Sequence, residues 1–453
     1  MSSSRKIELL KGLEAAPFYL QQQDLDWVEK VFDSMSLDEK IGQLFCPIGF
    51  STDPGYLQGA LLRHHIGGLF FRNGESSEMQ ETFRYAQSHS KIPLLIPSNL
   101  EAGGNGAATD GTAYGMPLAV SAAKDSKYAY RLGKVACSEG AAIGINWAFA
   151  PVVDIDLNCH NPITNVRTFG SQAEVVYRCA SQYLKAAKEE NVAVSIKHFP
   201  GDGVDERDQH LLTSINSLSR EEWDESFGMV YKKLIEEDAL TIMAGHIALP
   251  SYQGFFNAET AKQVIPASLS KELLYDLLRK QLGFNGMIVT DASPMLGFTC
   301  AMERAKAVPY SIECGCDMFL FNKDLEEDYG FMMEGYKRGI LSEERLEEAV
   351  LRILGLKAAL KLHTKKADNS LVPNPEHLQK VGCQEHQEWA KELADASVTL
   401  VKDTQKILPL RVEKHRRVLL QILGDFDSNE RIRKTVEVEL EKRGFIVSHY
   451  EKE

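Results

Sequence analysis

Short apolar runs recur along this chain, separated by longer segments whose apolar residues fall three and four positions apart. The runs lie at 41–48, 68–71, 94–98, 146–151, 193–198, 240–246, 287–290 and 318–321. Their near-continuous apolar character is that of strands buried on both faces. The intervening segments, such as 124–141, 172–189, 219–237 and 270–281, carry the helical period and are long enough to be helices. Strands alternating with helices in this way predict an α/β fold. A closed parallel TIM (β/α)8 barrel fits better than an open doubly wound sheet, which the pattern alone leaves as the alternative.

Past the last run the pattern changes. The segment 363–384 is polar and contains Pro373 and Pro375, which suits a linker. A helical stretch at 385–396 follows, then SVTLVKD, VLLQILGD, a charged helix at 430–442 and FIVSHY. These are too few strands for an independent sheet and read as the start of a second, smaller α/β domain. The expected division is a barrel domain over 1–362, a linker over 363–384 and a partial C-terminal domain over 385–453.

A barrel of this kind gathers its chemistry at the carboxyl ends of its strands. Here the third strand runs into Asn99 and Glu101, the fourth into Asp154 and Asp156, the fifth into Lys197 and His198, the sixth into His246 and the seventh into Asp291. Each alone has a structural explanation: a helix cap, a turn, a satisfied core histidine. Their coincidence on one rim points to function. The densest stretch is KHFPGDGVDERDQH at 197–210, which places Lys197, His198, Asp202, Asp205, Asp208 and His210 around Gly201 and Gly203. A packed core has no use for so many ionisable groups, whereas a loop at a strand end can present them to a polar substrate.

Composition narrows the class. A chain of 453 residues, 44% hydrophobic, buries an ample core. The net charge of -13 argues against nucleic acid or an anionic membrane as partner. The opening MSSSRKIELL has no long apolar run behind it, so a cytoplasmic location is expected. Eight cysteines without a CxxC pair read as buried thiols. Neither a metal nor an organic cofactor is expected, because no ligand cluster has metal spacing.

The loop and its surroundings resemble glycoside hydrolase family 3, in particular its branch of β-N-acetylglucosaminidases. KHFPGDGVDERDQH and LGFNGMIVTDASPM carry the resemblance, supported by LLIPSNLEAGG, NWAFAPVVDID, NPITNVRTFG and PASLSKELLYDLLRKQLGF. It implies a barrel exo-glycosidase that removes terminal β-linked N-acetylglucosamine from small glycans, as in peptidoglycan turnover, with retention through a covalent glycosyl-enzyme. It implies Asp291 as nucleophile and His210 as acid/base catalyst held by Asp208. Asn99, Glu101, Arg167, Lys197, His198 and His246 would grip the sugar. The chain departs from the family in having Asn99 for an aspartate, GDG for GHG, and Gln209 for a serine. Alternatives open at this point are a phosphorylase that uses phosphate as acceptor, a family 3 β-glucosidase, and a non-catalytic sugar-binding protein.

Overall fold

The computed structural model describes residues 3–424 and 429–450. Eight strands form its centre: β1 (Phe45–Cys46, continuing as Ile48–Gly49), β2 (Phe70–Phe71), β3 (Pro97–Ser98), β4 (Trp147–Ala148), β5 (Ala193–Phe199), β6 (Thr241–Ala244), β7 (Met287–Thr290) and β8 (Phe319–Leu320). Every neighbouring pair is parallel. β3 to β7 pair in chain order, β1 pairs with β2 through Ile48 and Phe70, and β8 returns to β1 through Phe45 and Phe319. Single bridges, Gly68 to Leu95 and Val289 to Met318, complete the remaining seams. The ring is closed, which settles barrel against open sheet.

The strands form where apolar residues run without a break, and β5, β6 and β7 are buried at every position. The run at 41–48 is split: its first half belongs to the helix Leu37–Gln43, started by the Ser36 capping box. Ridges of apolar residues dock the outer helices. In Ala173–Glu189, Val176, Ala180, Tyr183, Leu184 and Ala187 are buried, each side chain contributing about 1.5–3 kcal/mol where it is large and aliphatic. Buried aromatics satisfy their polar ends: Trp147 Nε1 donates to Thr241 Oγ1 at 2.8 Å and Trp223 Nε1 donates to the Pro200 carbonyl at 2.8 Å. At the opposite end of the barrel from the carboxyl rim, buried Asp317 accepts from Arg279 and Arg345 and from the N–H of Ile288, the second residue of β7. A charge so deeply buried is tolerable only with such partners.

The barrel unit continues to Val398, and a second compact unit begins at Thr399. The division thus falls later than the sequence pattern places it, because 363–384 and the helix Gln384–Ser397 lie against the barrel. Arg84 donates to the carbonyls of Val372 and Pro373, and His386 of that helix is buried against Glu139. The second unit, taken by itself, pairs β9 (Arg417–Leu420) in parallel with β10 (Ile446–His449), with the helix Asn429–Lys442 between them in sequence. VTLV, expected to open this domain as a strand, has no regular structure, and Val398, Leu400 and Val401 are exposed. All eight cysteines are free thiols, five of them buried. Among the described residues no helix is long and apolar enough to cross a membrane.

Candidate active site

β5 ends by delivering Lys197 and His198 to the carboxyl rim, and both side chains are almost wholly covered. Lys197 Nζ donates to Glu101 Oε1 at 2.6 Å. Arg167 grips the same carboxylate with two prongs, Nε to Oε2 at 3.0 Å and Nη2 to Oε1 at 2.9 Å. Burial opposes ionisation of Glu101, but Lys197 and then Arg167 outweigh it and hold the carboxyl far below the usual carboxylate range. Lys197 uses one of its three N–H bonds here, leaving donor capacity for a ligand.

His198 is fixed from behind. Its Nδ1 lies 2.7 Å from Asp154 Oδ2, and its backbone N–H donates to Asp154 Oδ1 at 3.0 Å. The carboxylate therefore selects the Nδ1–H tautomer. His198 Nε2 faces Asp291 Oδ2 at 3.9 Å. Asp291 stands just past β7 with 14% of its side chain exposed, enough to meet a ligand. Burial pushes its pKa up, but the neighbouring His198 and the Ala292 N–H, which donates to Oδ1 at 2.7 Å, prevail, and the group stays below its ordinary value. An ionised carboxylate with one oxygen tethered by a backbone N–H and the side chain still partly exposed can act as a nucleophile.

The loop after β5 turns on two glycines. Gly201 and Gly203 have φ of +121° and +108°. A Cβ at the first would stand 2.1 Å from the Phe227 ring and at the second 2.0 Å from the Ile155 carbonyl oxygen, so no other residue fits. The loop then presents Asp208 and His210, whose Oδ1 and Nδ1 are 2.6 Å apart. The His210 side chain is 51% exposed. With Nδ1–H donating to Asp208, Nε2 is left to exchange a proton with a ligand. The loop rests on the segment that follows Asp291, because Leu296 N–H donates to the His210 carbonyl at 2.9 Å and Gly297 N–H to the Gln209 carbonyl at 3.2 Å.

Residues 36–356 match the N-terminal domain of glycosyl hydrolase family 3. The chain belongs to that family. A β-N-acetylglucosaminidase/β-glucosidase of Cellulomonas fimi is 45% identical over 90% of this chain and 72% of its own length. β-Hexosaminidase A of Pseudoalteromonas piscicida is 28% identical over 81% of this chain, which spans 64% of that relative. Among solved structures, a β-glucoside phosphorylase superposes with a TM-score of 0.92 at 42% identity, covering 97% of this chain and 80% of its own. As a member of the family the protein is a glycosidase-type enzyme that acts on carbohydrate.

The sequence-predicted residues fall into three groups. Glu101, Arg167 and Lys197 form one cluster, His198 and Asp291 a second, and Asp208 with His210 a third. Asn99 sits exposed at the end of β3. His246 is the exception to its expected role as a sugar contact. It is fully buried, and both ring nitrogens are engaged, Nδ1 with Ser268 Oγ at 2.9 Å and Nε2 with the Ala292 carbonyl at 3.0 Å. A carbonyl can only accept, so Nε2 carries the proton; burial pushes the imidazole pKa down and keeps it neutral. His246 supports the backbone beside Asp291. Sequence reasoning gave no specific role to Asp154, one of the strand-end carboxylates, or to Asp202, one of the ionisable groups of the loop. In the structure Asp202 is buried, and burial and then the Asp154 charge raise its pKa to about 6. Their signal was a carboxylate at a strand end and the departure from GHG.

Proposed function

We propose that the protein removes terminal β-linked N-acetylglucosamine from small glycans with net retention, through a covalent glycosyl-enzyme on Asp291. The observation that carries this reading is an ionised carboxylate and a separate imidazole–carboxylate dyad on one barrel rim, joined by the backbone contacts of 209–210 with 296–297. Asp291 attacks the anomeric carbon while the bond to the aglycone oxygen breaks and His210 supplies the proton that oxygen needs. Asp208 stabilises the imidazolium. In the second step neutral His210 takes the proton of the incoming acceptor, whose oxygen displaces Asp291 and restores the original configuration. Lys197 and Arg167 supply donors to ring hydroxyls and the N-acetyl group, and His198, held through Nδ1 by Asp154, presents Nε2 as an acceptor. An aryl β-N-acetylglucosaminide should be turned over with a higher kcat/KM than the matching β-glucoside. The reverse order would reassign the sugar and leave the chemistry standing.

Phosphorolysis is a second reading, favoured by the acid/base group itself and by the likeness to a β-glucoside phosphorylase. A phosphate meeting a carboxylate base at about 4 Å would be repelled by about 4 kcal/mol per unit charge at an effective dielectric of about 20. A neutral imidazole removes that barrier, and the exposed His210 ring leaves the approach open. Adding millimolar phosphate should therefore speed turnover and yield sugar 1-phosphate. Free sugar as the sole product at every phosphate concentration would make water the acceptor.

A further inference from the structure

Two of the chain's departures from its family meet in space. Gln209 Nε2 donates to Asp202 Oδ2 at 3.2 Å, and Gln209 Oε1 accepts the His246 backbone N–H at 2.9 Å. The other Asp202 oxygen accepts from Asn161 Nδ2 and from the Gly203 N–H, each at 2.8 Å. Asp202 and Gln209 are each 1% exposed. Nothing in the reaction as drawn uses either side chain.

The loop 208–210 explains why this matters. Asp208 and His210 both point outward as a dyad, while Gln209 between them is keyed inward to the barrel. Turning the Gln209 side chain out of its slot would carry the imidazole with it. The slot is narrow: a Cβ on Gly297 would stand 2.5 Å from the Gln209 carbonyl oxygen, and one on Gly245 would stand 3.3 Å from Gln209 Oε1. The far end of the loop is held independently, by Asp205 Oδ2 accepting the Ile215 N–H at 2.9 Å and by the ladder of Ser214–Ile215 with Ile247–Ala248. Gln209 is thus the side-chain tie at the catalytic end of the loop.

We infer that Asp202 and Gln209 are positioning residues, a buried latch that sets where the acid/base histidine stands over the sugar. This rests on the proposed role of His210. The latch has a polarity that can be reversed without changing size. Asp202→Asn turns an amide N–H toward the Gln209 amide N–H, donor against donor. Gln209→Glu sets two carboxylates face to face. The double variant D202N/Q209E restores one donor and one acceptor across the pair and keeps an acceptor for the His246 N–H.

The test compares kcat and KM on an alkyl β-glycoside, which needs its leaving oxygen protonated, and on an activated aryl β-glycoside, which does not. Each single variant should lose about ten- to a hundredfold in kcat/KM, which reports the first step, on the alkyl substrate, with kcat/KM on the aryl substrate within about threefold of the parent. The double variant should recover most of the alkyl activity. Equal losses on both substrates, or a double variant no better than the two single effects combined, would overturn the latch. Should a single variant not fold, as judged by thermal unfolding, Gln209→Met keeps the volume, removes both hydrogen bonds and is read in the same way. Failure of the proposed role of His210 has a different signature, a His210→Ala enzyme whose kcat/KM on the alkyl substrate falls no further than on the aryl one.

Discussion

Asp291→Asn lowers kcat on an aryl β-glycoside by a factor on the order of 10⁴ or more, because the amide cannot form the glycosyl-enzyme. The substitution is nearly isosteric, and the amide oxygen can still accept the Ala292 N–H that the carboxylate accepts at 2.7 Å. The fold should therefore persist, and an unchanged thermal midpoint would show that chemistry alone was lost. Asp291→Ala opens room for a small anion, so azide should restore turnover and give the glycosyl azide of inverted configuration. Appreciable activity of the asparagine variant, or no azide rescue of the alanine variant, would move the nucleophile elsewhere. The pH profile offers a check. His198 and the Ala292 N–H keep Asp291 ionised to below its ordinary range against the effect of burial, so a fall in rate near neutral pH belongs to another group. The same depressed pKa contributes stability at neutral pH that is lost as pH falls through the folded-state value.

His210→Ala gives the second-largest effect, and its size depends on the substrate. With an alkyl or sugar leaving group the first step needs a proton, and the loss should reach about 10²–10⁴-fold. With a strongly activated aryl leaving group that step is little affected, and only the activation of the acceptor suffers. Steady-state kinetics on the two substrate types, with burst measurements on the aryl one, separate the steps. Asp208→Asn should produce a weaker copy of the same pattern, since the imidazole keeps its place but loses the carboxylate 2.6 Å from Nδ1. Equal damage to both substrate types would remove His210 from the proton transfers and leave it a structural part of the loop.

These two positions were legible as residues before they were legible as a site. The runs at 193–198 and 287–290 open on apolar residues, Ala193, Val194 and Ile196 in the first and Met287, Ile288 and Val289 in the second, so their strand character and the polar residues at their ends could be read directly. Closure of the ring could not, because it depends on β8 meeting β1 through Phe45 and Phe319, positions far apart in the chain. His246 shows the converse. A histidine at a strand end looks like a ligand contact, yet Ser268 and the Ala292 carbonyl occupy both of its nitrogens. The VTLV stretch misled for a related reason: strand propensity is realised only within a sheet, and 398–401 joins no strand of the structure.

The order of apolar runs, the glycines that permit the turn after β5, and the chemical types at each strand end are local properties, and the sequence by itself determined them. Local period and residue type settle which segments are strands and which groups stand at their ends. Only the tertiary structure decided that Lys197 and Arg167 share Glu101, that Asp154 orients His198, and that Gln209 turns inward to Asp202 while its two neighbours stay accessible to solvent. Most of those pairings join residues tens of positions apart, and even the one within the loop depends on the barrel wall behind it. Hydrogen bonds and ion pairs of this kind are fixed by which backbones the packed barrel brings within about 3 Å, a distance no periodicity encodes.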